Sequence, residues 1–168
     1  MTAEPPVERA DFTAMLREHD ARLRGLAFRV LGDRHWMDDA LQDAYLRAYR
    51  ARHTLRSPDE AGTWLYRIVY NACIDELRRR RRRPMPVDVS AHDQPRRDDP
   101  HAAVADADVL RRALASLPDE QRVTVALVDG EGFDHDEAAR ILGVATGTVA
   151  SRLSRGRAAL RAAIGDDR

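Results

Sequence analysis

A chain of 168 residues is long enough for one domain or two small ones, which excludes a large multidomain enzyme. Hydrophobic residues make up 43% and charged residues 33%, so compact cores can form, and with aromatics at 5% small helical units suit the composition better than a sandwich. The net charge is zero, from 28 basic and 28 acidic residues, which taken alone argues against nucleic acid as a partner.

From Phe12 the pattern is helical. Phe12, Met15, Leu16, Leu23, Leu26, Ala27, Val30 and Leu31 recur at three-to-four spacing, and Gly32-Asp33 ends the run. A second helix carries Met37, Leu41, Tyr45 and Ala48. A third starts near Ser57 and places Trp64, Leu65, Ile68, Val69, Ala72 and Leu77 on one face. Ser57 can cap it, Pro58 suits a first turn, and Glu60 completes a Ser-x-x-Glu box. Pro84, Pro86, Pro95 and Pro100 then stand among aspartates with no apolar period, so residues 84–101 read as a flexible linker.

The helical pattern returns at Ala102, with Val104, Val109, Leu110, Ala113, Leu114 and Leu117 on one face. Ser116-Leu117-Pro118 starts another helix. Val123–Val128 is β-branched enough for a strand, but it is one short run among helices and is assigned to helix, ended by Gly130 and Gly132. Asp134 and Glu137 form an Asp-x-x-Glu box before Ala138, Ala139, Ile141 and Leu142. Gly143 suits a left-handed end, and Thr146 can cap a last helix with Val149, Leu153 and Leu160 inward. Thr148, Ser151, Arg152, Ser154 and Arg155 then face away. A short helix, a Gly-bearing turn and a longer basic helix form a helix-turn-helix, whose second helix enters a major groove.

The charge is sorted along the chain. All 28 cations are arginine, each a planar fork able to hold phosphate bidentately. Arg78 to Arg83 are consecutive. Six arginines in a row repel one another, so a counter-anion is expected beyond what a helix dipole would attract. Residues 146–161 hold four arginines and no acid, whereas residues 119–137 hold seven carboxylates and one arginine. Net neutrality therefore hides two basic surfaces and an acidic belt.

Chemistry-bearing patterns are absent. The six histidines are scattered without metal spacing, and no phosphate loop or nucleophile elbow is present. Asp38, Asp39 and Asp43 read as surface carboxylates rather than a metal site. The single cysteine, Cys73, lies inside a helical run and excludes a disulfide framework. Neither a signal peptide nor a membrane span is recognisable, so a cytoplasmic location is expected.

Together these segments resemble a known family. Asp38-Asp39-Ala40-Leu41-Gln42-Asp43-Ala44-Tyr45-Leu46-Arg47-Ala48-Tyr49 resembles conserved region 2.2 of the extracytoplasmic-function (ECF) sigma factors, the short class of sigma-70-type factors. Thr63-Trp64-Leu65-Tyr66-Arg67-Ile68 and Asn71-Ala72-Cys73-Ile74-Asp75-Glu76-Leu77-Arg78-Arg79 resemble regions 2.3 and 2.4. Leu114-Ala115-Ser116-Leu117-Pro118 and Gly147-Thr148-Val149-Ala150-Ser151-Arg152-Leu153-Ser154-Arg155-Gly156-Arg157 resemble region 4. The order and spacing match across nearly the whole chain.

The resemblance implies an all-α protein of two small helical domains on a flexible linker: a σ2-like bundle at 11–83, the linker at 84–101, and a σ4-like helix-turn-helix at 102–165. It implies a factor, not an enzyme, that binds core RNA polymerase and directs promoter-specific initiation without a cofactor or small-molecule substrate. Asp39, Gln42 and Asp43 would dock on the β′ clamp helices, and the β flap would receive the second domain. His53, Arg67, Asn71, Arg78 and Arg79 would hold the melted −10 element, for which an amide such as Asn71 suits a base edge. Trp64 is a further candidate there, although its spacing suits the core. Thr148, Ser151, Arg152, Ser154 and Arg155 would read the −35 element. An anti-sigma factor is an implied partner, and no further domain is expected after the recognition helix. Two segments differ from the family: Leu55–Gly62 lacks its usual aromatic and small polar residues, and Ala150 stands where many members carry a base. The competing reading is a stand-alone two-domain helix-turn-helix regulator.

Overall fold

The structure, a computed structural model, describes residues 9–82 and 101–165; the linker read at 84–101 lies almost wholly outside them. Among the described residues the fold is all helical. Helix α1 spans Arg9–Leu31, α2 Arg34–Ala51 and α3 Ala61–Arg82. Four helices follow: α4 His101–Ser116, α5 Asp119–Val125, α6 His135–Leu142 and α7 Thr146–Gly165. No described helix is long and apolar enough to cross a membrane.

Local sequence explains most boundaries. Gly32 takes φ +70°, which closes α1, and Asp33 caps α2 by accepting a hydrogen bond from the Trp36 amide at 3.0 Å. The start of α3 differs from the expectation. Ser57 accepts from the Asp59 amide at 3.3 Å and opens a single 3₁₀ turn, Pro58–Glu60, so the α-helix itself begins at Ala61. The β-branched run 123–128 is helical, and α5 widens into a π turn over Ala126–Gly130.

In the first unit, Phe12, Leu23, Leu26, Val30, Leu41, Leu65 and Val69 are buried where α1, α2 and α3 meet. Trp64 packs partly buried against this core, as its spacing suggested. Cys73 is 1% exposed, and burial, with Glu76 nearby, pushes its thiol pKa up to about 12. In the second unit Leu114, Leu117, Val125 and Leu153 form a smaller cluster. Leu110, expected inward on α4, is 46% exposed.

The two units are not separate. The larger core continues from α1 and α3 into Val123, Leu127, Ala138, Ile141 and Val149 of the second unit. Arg122 reinforces this junction. Its guanidinium is buried and donates to the carbonyls of Leu114, Ala115 and Leu117 in its own unit and to Val30 of α1 at 2.7 Å. Burial lowers its pKa, opposed by Asp119.

Candidate nucleic-acid interface

Helix α3 carries the first candidate surface. Arg67, Asn71 and Arg78 recur at four- and seven-residue spacing, so they share a stripe, and all three are exposed. None of the three meets a protein hydrogen-bond or ion-pair partner among the described residues. His53, exposed in the 3₁₀ turn Arg52–Thr54, lies in the connection leading to this helix.

The arginine run divides by direction. Arg79 pairs with Glu76 at 2.9 Å. Arg80 turns back to donate to the Leu31 carbonyl at 3.1 Å and lies over the Trp36 ring. Arg81 pairs with Asp119 of the second unit. Arg78 and Arg82 remain without a described partner. The mutual repulsion of the run is thus relieved partly by protein groups. Glu76 is 2% exposed, and its Oε1 has no hydrogen-bond partner among the described residues.

The helix-turn-helix forms as the sequence indicates. Asp134 accepts from the Glu137 amide at 2.8 Å and Glu137 accepts from the Asp134 amide at 3.0 Å, completing the capping box. Gly143 adopts φ +67° at the end of α6. Thr146 departs from its expected capping role: its hydroxyl donates to Asp136 at 2.7 Å, tying the start of α7 to α6.

Helix α7 buries Val149 and Leu153 and exposes Ser151, Ser154 and Arg155; Thr148 is half-buried. The Arg155 Nε donates to the Ser151 carbonyl at 3.2 Å, and the guanidinium meets no carboxylate among the described residues. The Arg152 guanidinium pairs with Glu120 of α5 at 2.8 Å, and its side chain is 15% exposed where the acidic belt lies against this edge of α7. Arg157 is likewise held by Asp129, with bonds of 3.0 and 2.5 Å. The belt therefore neutralises part of the basic helix from within the protein.

Helix α2 carries the remaining candidates on its outer face. Gln42 is exposed and lines a groove between α1 and α2 with Phe12, Leu16, Tyr45, Leu46 and Tyr49. Leu46 is 51% exposed beside it. Asp43 pairs with Arg47 at 2.6 Å, and Asp39 lies 3.7 Å from His35. Asp38 pairs with Arg24 at 2.9 Å. Each aspartate of this helix thus has a neighbouring side chain of opposite or titratable charge.

One polar cluster escaped sequence reading. The Glu131 carboxylate, 4% exposed, accepts from Arg22 at 3.1 Å, Arg29 at 2.5 Å and the Tyr66 hydroxyl at 2.8 Å. Burial and this bond raise the Tyr66 pKa, which keeps the phenol a donor. Arg22 also donates to the Glu131 carbonyl at 2.6 Å, and Phe133 stands edge-on to Tyr66 at 4.7 Å. Nothing near Glu131 in sequence signals these partners.

Comparison with known proteins agrees with both units. Residues 15–83 match the sigma-70 region 2 family model and residues 107–160 the sigma-70 region 4 model. The chain is 40% identical over 158 residues to the ECF RNA polymerase sigma factor SigM of Mycobacterium tuberculosis, covering 94% of this chain and 79% of that protein. It is 37% identical over 153 residues to the ECF sigma factor SigE of Mycolicibacterium smegmatis, covering 88% and 59%. Among solved structures it resembles the sigma factor RpoE of Bartonella quintana, in complex with the anti-sigma factor NepR. That likeness has a TM-score of 0.76 at 25% identity and covers 94% of this chain and 99% of that one. CnrH, in complex with the cytosolic domain of CnrY, gives 0.71 at 26% identity, covering 96% and 92%. With two sigma-70 regions in order, an exposed basic stripe on α3 and a helix-turn-helix behind it, the chain belongs to the ECF sigma factors of bacterial RNA polymerase.

Proposed function

We propose a division of labour for this sigma factor in promoter-specific initiation. The unit at 11–83 docks on the β′ clamp helices through Asp39, Gln42 and Asp43, with the apolar rim of Leu46 and Tyr49 beside them. It then presents Arg67, Asn71 and Arg78, flanked by His53 and Arg79, to the unpaired −10 strand. Unpaired bases need polar edges and cations on a firm support, which a three-helix core supplies. The unit at 102–165 meets the β flap and reads the −35 duplex through Thr148, Ser151, Ser154 and Arg155, with Arg152 entering once Glu120 releases it.

The observation that carries this reading is the pairing pattern of the arginines. Arg67, Arg78 and Arg155 have no carboxylate partner among the described residues, while Arg80, Arg122 and Arg157 are engaged by protein groups. Free cations concentrated on two helix faces fit a polyanion that the rest of the neutral surface would not attract.

The factor contributes binding and strand selection, and the chemistry of RNA synthesis belongs to the polymerase. It acts in the cytoplasm with its polymerase. An anti-sigma factor is its proposed regulator, by likeness to RpoE, which was solved with the anti-sigma factor NepR. Run-off transcription from a promoter library, with core polymerase from a GC-rich bacterium, tests the assignment. Initiation should depend on this protein, and Gln42→Ala with Asp43→Ala should weaken polymerase capture while helicity is kept. Normal capture by that double variant would remove the docking face. Tight duplex binding by the protein alone at physiological salt would favour a stand-alone regulator.

A further inference from the structure

We propose that Tyr70 is a further contact to the melted promoter strand: its ring takes the face of one unpaired base of the −10 element, next to the base whose edge Asn71 reads. This rests on the −10 reading above and adds a stacking residue to it. The other three tyrosines are committed within the protein. The Tyr45 hydroxyl donates to Asp20 at 2.6 Å and the Tyr66 hydroxyl to Glu131 at 2.8 Å. Tyr49 meets Phe12 edge-on with ring centroids 5.8 Å apart, and the Arg52 guanidinium lies 4.2 Å over its ring. Tyr70 packs half-buried against the core, yet among the described residues its hydroxyl has no hydrogen-bond partner and its ring meets neither an aromatic ring nor a stacked cation. A half-buried phenol ordinarily finds a partner for its polar end.

The place of Tyr70 on α3 supplies what an unpaired strand needs. At about 100° per residue, Ile74, Arg67 and Arg78 follow one line along the helix, with Asn71 on one flank and Tyr70 on the other. Arg67 and Arg78 are exposed and meet no carboxylate among the described residues, so both are free for phosphates. Tyr70 and Ile74 rest on the core, which holds the ring firm from beneath. Burial raises the Tyr70 pKa; Arg152 and Arg78 oppose this and Glu120 adds to it, and the phenol stays a donor. Arg152 and Glu120 belong to the second unit. In the holoenzyme, where α7 is given to the −35 duplex, the polar neighbours left to Tyr70 are Arg67, Asn71 and Arg78.

The two flanks do different work. Every base has a π face, so a ring that stacks on one holds the strand whatever its sequence. An amide that pairs with a base edge distinguishes bases. Tyr70 therefore serves capture of the melted strand, and Asn71 serves its selection. Substitutions at Tyr70 lower affinity for unpaired DNA and leave the order of preference among −10 sequences as it is.

The test uses holoenzyme reconstituted from core polymerase and the full chain. It is titrated with fork-junction DNA made from a promoter recovered in the run-off library, with the −10 strand unpaired. Tyr70→Leu should weaken binding roughly tenfold or more, the scale of one lost base stack. Tyr70→Phe keeps the ring and should stay within about threefold of the unsubstituted protein. Tyr70→Met, flexible enough to cover the same core, takes the place of Tyr70→Leu if that variant loses helicity. Abasic sites placed one at a time along the unpaired strand give a readout that a packing role would not move. At one position, loss of the base should weaken the unsubstituted and Tyr70→Phe holoenzymes and leave Tyr70→Leu nearly unaffected, a coupling that marks the stacked base. Fork binding by Tyr70→Leu as tight as the unsubstituted protein's, or a loss that couples to no abasic position, overturns the stack. Arg67→Ala and Asn71→Ala check the reading beneath it. Weakened binding by these two with Tyr70→Leu unchanged removes Tyr70 alone, whereas unchanged binding by all three removes the −10 stripe and Tyr70 with it.

Discussion

The guanidinium of Arg152 sits 2.8 Å from the carboxylate of Glu120, so one arginine of α7 is occupied by the protein's own acid. Its neighbour one turn on, Arg155, meets no carboxylate among the described residues. The two should contribute differently to promoter choice. Arg155→Ala should lower use of the preferred −35 element roughly tenfold, the cost of one good base contact. Arg152→Ala should cost less. Glu120→Gln should raise duplex affinity by removing a repulsive charge and releasing Arg152. Transcription from −35 promoter variants with the reconstituted holoenzyme checks the order; equal losses for both arginine variants would contradict it.

Arg122 spends its fork on four backbone carbonyls drawn from two units. A methionine would fill much of the same space and supply no donor. Arg122→Met should therefore destabilise the protein by about 3 kcal/mol, the scale for removing one member of a buried charged network. Arg122→Lys should restore only part of this, because an ammonium cannot reach carbonyls in several directions at once. Urea unfolding followed by helicity measures both.

Gly156 lies in the middle of α7, where alanine would normally strengthen a helix by up to ~1 kcal/mol. Here an added Cβ would meet Cγ2 of Val125 at 2.8 Å. Val125 is β-branched and buried, so it cannot swing aside. Overpacking of about 1–3 kcal/mol should win, and Gly156→Ala should lower the melting temperature. Adding Val125→Ala should make the second change less costly than it is alone, a coupling that a double-mutant cycle resolves.

Tyr45 donates to Asp20 at 2.6 Å, and this bond, aided by Arg24, holds the Asp20 carboxyl below its ordinary value of 3.8 against the opposing effect of burial. A carboxyl with a lowered folded pKa contributes stability above its unfolded pKa and loses it as pH falls through the folded one. Tyr45→Phe should thus cost about 1 kcal/mol near neutrality, and the deficit should shrink below roughly pH 4. Unfolding curves of both proteins between pH 2 and 7 give the comparison; a constant difference across that range would assign the loss to packing instead.

Features set by near neighbours in the chain are legible in the sequence. The apolar period of α1, the left-handed glycines Gly32 and Gly143 and the Asp134–Glu137 box each depend on residues within a few positions. Thr146 was misread because its hydroxyl found Asp136, ten residues back, instead of its own helix. The pairing of Arg152 with Glu120 was hidden for the same reason, since Glu120 reaches it only through tertiary packing. The Glu131 cluster was invisible. Arg22 is 109 residues away, and a lone glutamate between two glycines looks like an ordinary loop.

Cys73 has a consequence for signalling. A thiol 1% exposed, with its pKa pushed up to about 12, forms almost no thiolate at cellular pH, and thiolate is the form that peroxide and disulfides attack. While the first unit stays folded, the single cysteine of this sigma factor offers no reactive thiolate. A cue carried by thiol oxidation must then be registered on another molecule's cysteine and handed on through binding.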